Sequence, residues 1–256
     1  MRLNWVDMNN RQIKILPDVQ ALHQAAASEF SRCALDAIAA RGHFSVALSG
    51  GNTPRGAYEV IAERQKDTSS QLPWDRIFIF WGDERHVPPD HPDSNYRMAR
   101  EALLSRVPIP AQNVHRVRAE LDAAEAAQDY ERQLQIHFRL KPDELPRFDL
   151  IMLGLGDDGH TASLFPGSAA LGETQHLFVA NWVEKFRQYR LTLTLPVPDH
   201  AGEVLFLVSG GSKAPVVKEI LTPQAEQKYP AQRVQPKAGS LLWFLDQDAA
   251  NSQIIG

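Results

Sequence analysis

The sequence is short of most features that would place a chain at a glance. Its 256 residues include one cysteine, Cys33. That excludes an intramolecular disulfide framework, and no Cys/His spacing forms a zinc motif. Within the helix-like EFSRCALDAIAA, this thiol reads as a small packed side chain rather than a nucleophile. No apolar run reaches the ~18–20 residues that a membrane-spanning helix needs. The opening MRLNWVDMNNRQ has no apolar h-region, so no signal peptide is expected and a soluble, cytoplasmic protein is. Excess charge is small, with a formal net value of −4. This disfavours general nucleic-acid binding but leaves room for a local basic pocket. Neither a Walker loop nor a GxGxxG fingerprint occurs, so no nucleotide cofactor is expected. No proline-rich or low-complexity linker and no internal repeat divides the chain. One α/β domain over 1–256 is therefore expected, with no obligate protein partner.

What is present is ordinary globular material, 43% hydrophobic and 23% charged, with apolar mass for a sizeable core. Strand-like and helix-like segments alternate. QIKIL (12–16), FSVALSGG, RIFIFWGDER, FDLIMLGLG, HLFVAN, RLTLTLP, EVLFLVSGG and SLLWFLD read as strands. Between them lie helix-like stretches: PDVQALHQAAASEFSRCALDAIAARG stopped by Gly42, TPRGAYEVIAERQ, DSNYRMAREALLSRV capped by Asp93 or Ser94, DAAEAAQDYERQLQIHF, and SKAPVVKEIL. Continuous apolar strands alternating with helices predict a mostly parallel sheet covered on both faces. Residues 65–73 and 224–237 read as loops.

In such a sheet, ligands collect beyond the carboxyl ends of the strands, and four of those ends carry unusual residues. LSGGNTP (48–54) places Ser49, Gly50, Gly51 and Thr53 between a strand and a helix N-terminus. This suits a phosphate cradle, although a plain turn capped by Thr53 would look the same. WGDERHVPPDHPDSNYR delivers Asp83, Glu84 and Arg85 to a rim, where a solvated charge run is the alternative. GLGDDGHTASLFPG places Asp157 and Asp158 beside His160 in a turn that glycines bar from helix. An imidazole there can take a proton from water while a carboxylate orients it; a histidine that merely caps the next segment is the competing reading. Arg190 in RLTLTLP and Lys213 in VSGGSKAP could meet an anion, or could be surface cations.

Taken in order, LSGGNTP, WGDERHVPPDHPDSNY, LGLGDDGHTASLFPGS, RLTLTLP and VSGGSKA resemble the 6-phosphogluconolactonase family over roughly Val46 to Ala214. The resemblance implies a three-layer αβα fold with a Rossmann-like sheet, shared with the glucosamine-6-phosphate deaminases. It implies hydrolysis of a sugar-phosphate lactone without metal or organic cofactor. Under it the Ser49–Thr53 loop and Lys213 would hold the 6-phosphate, and Arg190 and Arg85 would add positive charge. His160 would be the general base, Asp158 would orient it, and Asp83 would bind a substrate hydroxyl or anchor the pocket. Glu84, Asn95 and Asp157 carry no firm role. The deaminase pattern has Asp-Glu-Tyr where Arg85 follows Asp83-Glu84, and a glutamate where Phe165 stands. Ser163 sits outside any GxSxG elbow, which disfavours an acyl-enzyme. A non-catalytic sugar-phosphate regulator of this fold would be expected to carry a helix-turn-helix; nothing before Val46 reads as one.

Overall fold

A computed structural model describes residues 5–8, 11–68, 71–222 and 228–250. Seven strands form its main sheet: β1 (Trp5–Met8), β2 (Arg11–Leu16), β3 (Phe44–Leu48), β4 (Ile77–Trp81), β6 (Leu150–Leu153), β9 (Glu203–Val208) and β10 (Ser240–Asp246). They lie in the order β1-β2-β10-β9-β6-β3-β4. Only β1 runs antiparallel to its neighbour. Every residue of β3, β6 and β9 is buried, as strands covered on both faces must be.

The longer helices are α1 (Val19–Arg41), α2 (Asn52–Arg64), α3 (Asn95–Ala102), α4 (Ala123–Phe138) and α6 (Ala214–Leu221). Single turns form α5 (Pro196–Asp199), α7 (Pro230–Arg233) and α8 (Gln247–Ala250). The boundaries of α1 follow from its sequence. Asp18 accepts the Ala21 N–H at 2.7 Å, and Gly42 closes the helix at φ 82°. Ser94 caps α3 by accepting the Arg97 N–H at 3.1 Å.

Crossovers β2→β3 and β3→β4 run one way along the sheet, and β4→β6, β6→β9 and β9→β10 run the other. Right-handed connections then put α1 and α2, which pack on each other, on one face and α4 and α6 on the opposite one. The direction changes between adjacent β3 and β6, which makes the crevice above their carboxyl ends the topological switch point.

Four readings need correction. RIFIFWGDER is not one strand: β4 stops at Trp81 and β5 (Asp83–Arg85) begins a second sheet. HLFVAN and RLTLTLP do not join the parallel sheet. They form the hairpin β7 (Phe178–Val183) and β8 (Gln188–Leu193), giving an antiparallel sheet β5-β8-β7. The connection is only Glu184–Arg187, far too short for a parallel crossover. Gly82 joins the two sheets, donating its N–H to Leu48 O at 2.8 Å and accepting from Leu193 N at 2.9 Å. Finally, Trp5–Met8 adds a strand that the polar opening concealed, and Pro230–Arg233 forms a helical turn within the expected loop, whose residues 224–227 lie outside the described ones. Among the described residues, no helix is long and apolar enough to cross a membrane.

Candidate active site

The ends of β3, β4, β6 and β9 arrive at the same edge of the main sheet, where the parallel register aligns Leu48 with Trp81 and Leu245 with Val208, while Arg190 comes from β8 of the smaller sheet. The loops beyond them knit into a ring. Thr53 Oγ1 lies 2.7 Å from Ser209 Oγ, linking the first turn of α2 to the loop after β9. Lys213 Nζ lies 2.6 Å from Asp157 Oδ1, linking the loops after β9 and β6. Ser163 Oγ donates to Asp83 Oδ2 at 2.6 Å, tying the turn after His160 to β5. Asn95 Nδ2 donates to the Asp83 carbonyl at 2.9 Å and to its Oδ1 at 3.1 Å. Its other end closes the ring, for a Cβ on Gly50 would lie 1.9 Å from Asn95 Oδ1. Only glycine allows that approach.

The loop after β3 is fixed from below. Buried Tyr58 of α2 accepts the Ser49 N–H and donates to the Ser49 carbonyl, both at 2.9 Å. Gly51 turns at φ 101°, and α2 starts without a side-chain cap, so its first N–H groups remain for an anion. Ser49 Oγ is buried and has no hydrogen-bond partner. An orphaned buried hydroxyl costs free energy unless a ligand meets it. Beside this loop opens a cavity of ≈ 450 Å³, lined by Gly51, Asn52, Arg55, Arg85 and Arg97 among others.

Arg85 and Arg190 face one another across the β5–β8 register. Arg85 donates to the Asp93 carbonyl at 2.7 Å and Arg190 to Gln188 Oε1 at 2.5 Å. Neither forms an ion pair with a carboxylate among the described residues. Burial first, then the like charge of Arg85, holds Arg190 below the ordinary guanidinium value. Two adjacent cations without a carboxylate partner suit an incoming anion.

The Asp158–His160 turn is equally constrained. His160 Nδ1 lies 2.5 Å from Asp158 Oδ1; if the N–H is on Nδ1, Nε2 keeps its lone pair. Phe165 stacks on the imidazole at 4.2 Å between ring centroids. Gly156 makes room, since a Cβ there would lie 1.9 Å from His160 Nδ1. Burial tends to raise the Asp158 carboxyl, but the bond from His160 and the nearby Lys185 outweigh it and hold the group below the usual range.

Glu84, left without a role by the sequence, is 2% exposed. It accepts the backbone N–H groups of Arg85, Asn95 and Tyr96 and the Ser94 hydroxyl. Burial pushes its carboxyl up to about 7 against the pull of those three backbone donors. It fixes the start of α3, and with it Asn95. Asn95 and Ser163 emerge as links of the ring, and Tyr58 as the support beneath it; the first two stand inside the motifs and Tyr58 beside one, with nothing in the sequence to say what each would touch. Among the described residues, one group has metal-ligand spacing: Glu29, Cys33 and Glu203. It lies near the opposite edge of the sheet, and Arg32 already pairs with both carboxylates at 2.5 and 2.7 Å.

A family model described as glucosamine-6-phosphate isomerases/6-phosphogluconolactonase matches residues 17–243. The chain is 46% identical to the 6-phosphogluconolactonase of Synechocystis sp., over 94% of this chain and 98% of that one. It is 40% identical to the human 6-phosphogluconolactonase, over 93% and 92% of the two chains. Among solved structures, that of 6-phosphogluconolactonase from Trypanosoma brucei superposes with a TM-score of 0.83 at 29% identity, covering 96% of this chain and 98% of that one.

Proposed function

The chain belongs to the glucosamine-6-phosphate isomerase/6-phosphogluconolactonase family, and from that premise we propose that it hydrolyses 6-phospho-D-glucono-1,5-lactone to 6-phospho-D-gluconate, with His160 as general base. The observation that carries this reading is the His160–Asp158 pair standing at the switch point, in the same ring of loops as the uncapped α2 terminus and the orphaned Ser49 hydroxyl.

In this reading the 6-phosphate sits on the Ser49, Gly50, Gly51 and Thr53 loop, with Lys213 exchanging part of its pairing with exposed Asp157 for the phosphate. Arg85 and Arg190 offset the remaining negative charge and the charge that develops on the carbonyl oxygen. Asp83 anchors the pocket: its carboxylate is buried and engaged by Ser163 and Asn95. His160 Nε2 takes a proton from water as the water oxygen bonds to C1. The tetrahedral oxyanion then collapses, the C1–ring-oxygen bond breaks, and the imidazolium returns its proton to the departing C5 oxygen. Asp158 stabilises the imidazolium in between. A lactone is an activated ester, so positioning and one base are sufficient. Phe165 occupies the face of the imidazole, where the deaminase pattern carries a carboxylate, and this favours the lactonase over amino-sugar chemistry.

The test is hydrolysis of freshly generated lactone, with the spontaneous rate subtracted, by wild type and His160→Ala, with glucosamine 6-phosphate as control substrate. Loss of a general base predicts a kcat/KM lower by about 10²–10⁴-fold. Ammonia released from the amino sugar without lactone hydrolysis would assign the chain to the deaminases. Full lactonase activity in His160→Ala would keep the function and overturn the mechanism.

A further inference from the structure

The turn joining β7 and β8 leans on the catalytic pair from outside. Lys185 Nζ lies 3.5 Å from Asp158 Oδ2, the oxygen that His160 leaves free. Next to it, Phe186 meets the edge of Phe165 at 5.7 Å and 72°, and Phe165 stacks on His160. Arg190 and Lys185 both approach the Phe186 ring, at 5.0 and 5.5 Å. The turn is itself held in shape: Arg187 N donates to Glu184 O at 3.1 Å, and Trp182 Nε1 donates to Glu184 Oε2 at 2.8 Å. A surface lysine that only improves solubility needs none of this support.

We propose that Lys185 is a positioning residue for the general base, holding the second oxygen of Asp158 so that the pair favours the neutral form of the His160 ring. This rests on the reading of His160 given above. An unpaired Asp158 would draw a proton onto the imidazole, because carboxylate beside imidazolium is a favourable pair. The Lys185 ammonium occupies the second carboxylate oxygen and repels imidazolium, and both effects favour the neutral ring. Among the described residues, the other charged or titratable groups around the turn include Asp157 on its own loop and Lys213, which pairs with it. Glu184, Arg187 and Arg190 stand on the hairpin, and Tyr229 packs against Gly159. Asp157 and Lys213 offset each other, Glu184 is engaged by Trp182, and among the described residues Lys185 is the cation paired with Asp158.

The experiment follows the His160 ring by NMR across pH in wild type, Lys185→Met and Lys185→Arg, the signal being assigned by its absence in His160→Asn. Lactone hydrolysis is measured in parallel. In Lys185→Met, the titration midpoint and the acid limb of kcat/KM are expected to move to higher pH by about half a unit at low ionic strength, and by less in high salt. Lys185→Arg should restore both, and kcat well above the limb should change less than about twofold. Lys185 is exposed, so these variants should fold. An unmoved midpoint in Lys185→Met, or one that Lys185→Arg does not restore, overturns the proposal. A midpoint that moves in a protein unable to hydrolyse the lactone upholds the electrostatic link and overturns the function instead.

Discussion

Two histidine regions of this molecule sit in opposite environments. His160 stands at the carboxyl edge of the sheet, partly exposed, with a carboxylate on Nδ1 and one aromatic ring on its face. His115 and His137 lie beside strands β3 and β4, within an aromatic cluster. His115 stacks on Phe80 at 4.4 Å, and His137 packs against Phe78, Phe80 and Phe138 at 4.8–4.9 Å. Neither pairs with a carboxylate among the described residues. Burial lowers both, and for His137 the neighbouring His115 and His43 lower it further, to about 4. Among the described residues, the same side chain thus stands beside a carboxylate in one place and is buried without a charged partner in the other. What differs is whether the surroundings offer the charged form a partner.

That contrast can be broken or sharpened by experiment. The largest effect is the loss expected of His160→Ala, and its control is His137→Asn, for which kcat/KM at neutral pH should stay within about twofold because it touches none of the site's loops. Next comes Gly50→Ala. The added methyl cannot coexist with Asn95 in place, so the loop or Asn95 must shift. Losing charge-assisted bonds to phosphate should raise KM roughly 10–100-fold with kcat less affected, and steady-state kinetics would show the split.

A smaller pair of effects separates the site from its support. Tyr130 bridges Trp81 N and O as Tyr58 bridges Ser49 N and O. Either Tyr→Phe change should cost about 1–3 kcal/mol in urea unfolding, since buried backbone groups lose a partner. Only Tyr58→Phe should also raise KM. If both leave kinetics alone, the strand-end anchoring of Ser49 has no bearing on binding.

The smallest effect is a pH slope. His137 has a folded-state value below its unfolded one, so the unfolded chain binds the extra proton. Its contribution to stability is present above about 6.5 and is lost as the pH falls toward about 4. The urea midpoint of wild type should therefore drop between those pH values more steeply than that of His137→Asn. Equal slopes would mean that the cluster opens to water without strain.

Much of this organisation is legible in the order of residues alone. The apolar runs ending in glycine mark β3, β6 and β9, and the residues after them mark the site, because a fully buried strand has one place to deliver polar groups. The smaller sheet is not legible in that way. RLTLTLP is as apolar as a parallel strand, and only the brevity of the 184–187 turn, with residues of β8 exposed at one end, betrays an antiparallel hairpin. Lys185 gives no signal at all, being a charged residue in an exposed turn like many others. Glu84 and Asn95 are visible as polar residues in a motif, but their task of building the ring depends on where α3 docks.

The sequence alone determined the alternation of strands and helices, the parallel main sheet and the chemical types at each strand end, since periodicity, capping and glycine placement are local properties. The tertiary structure decided which of those ends meet. That Thr53 reaches Ser209, Lys213 reaches Asp157 and Lys185 reaches Asp158 follows from strand order and from a hairpin folding back over the sheet. The first of those contacts spans 156 positions of chain, and no local preference encodes a separation of that kind; packing of the whole core does.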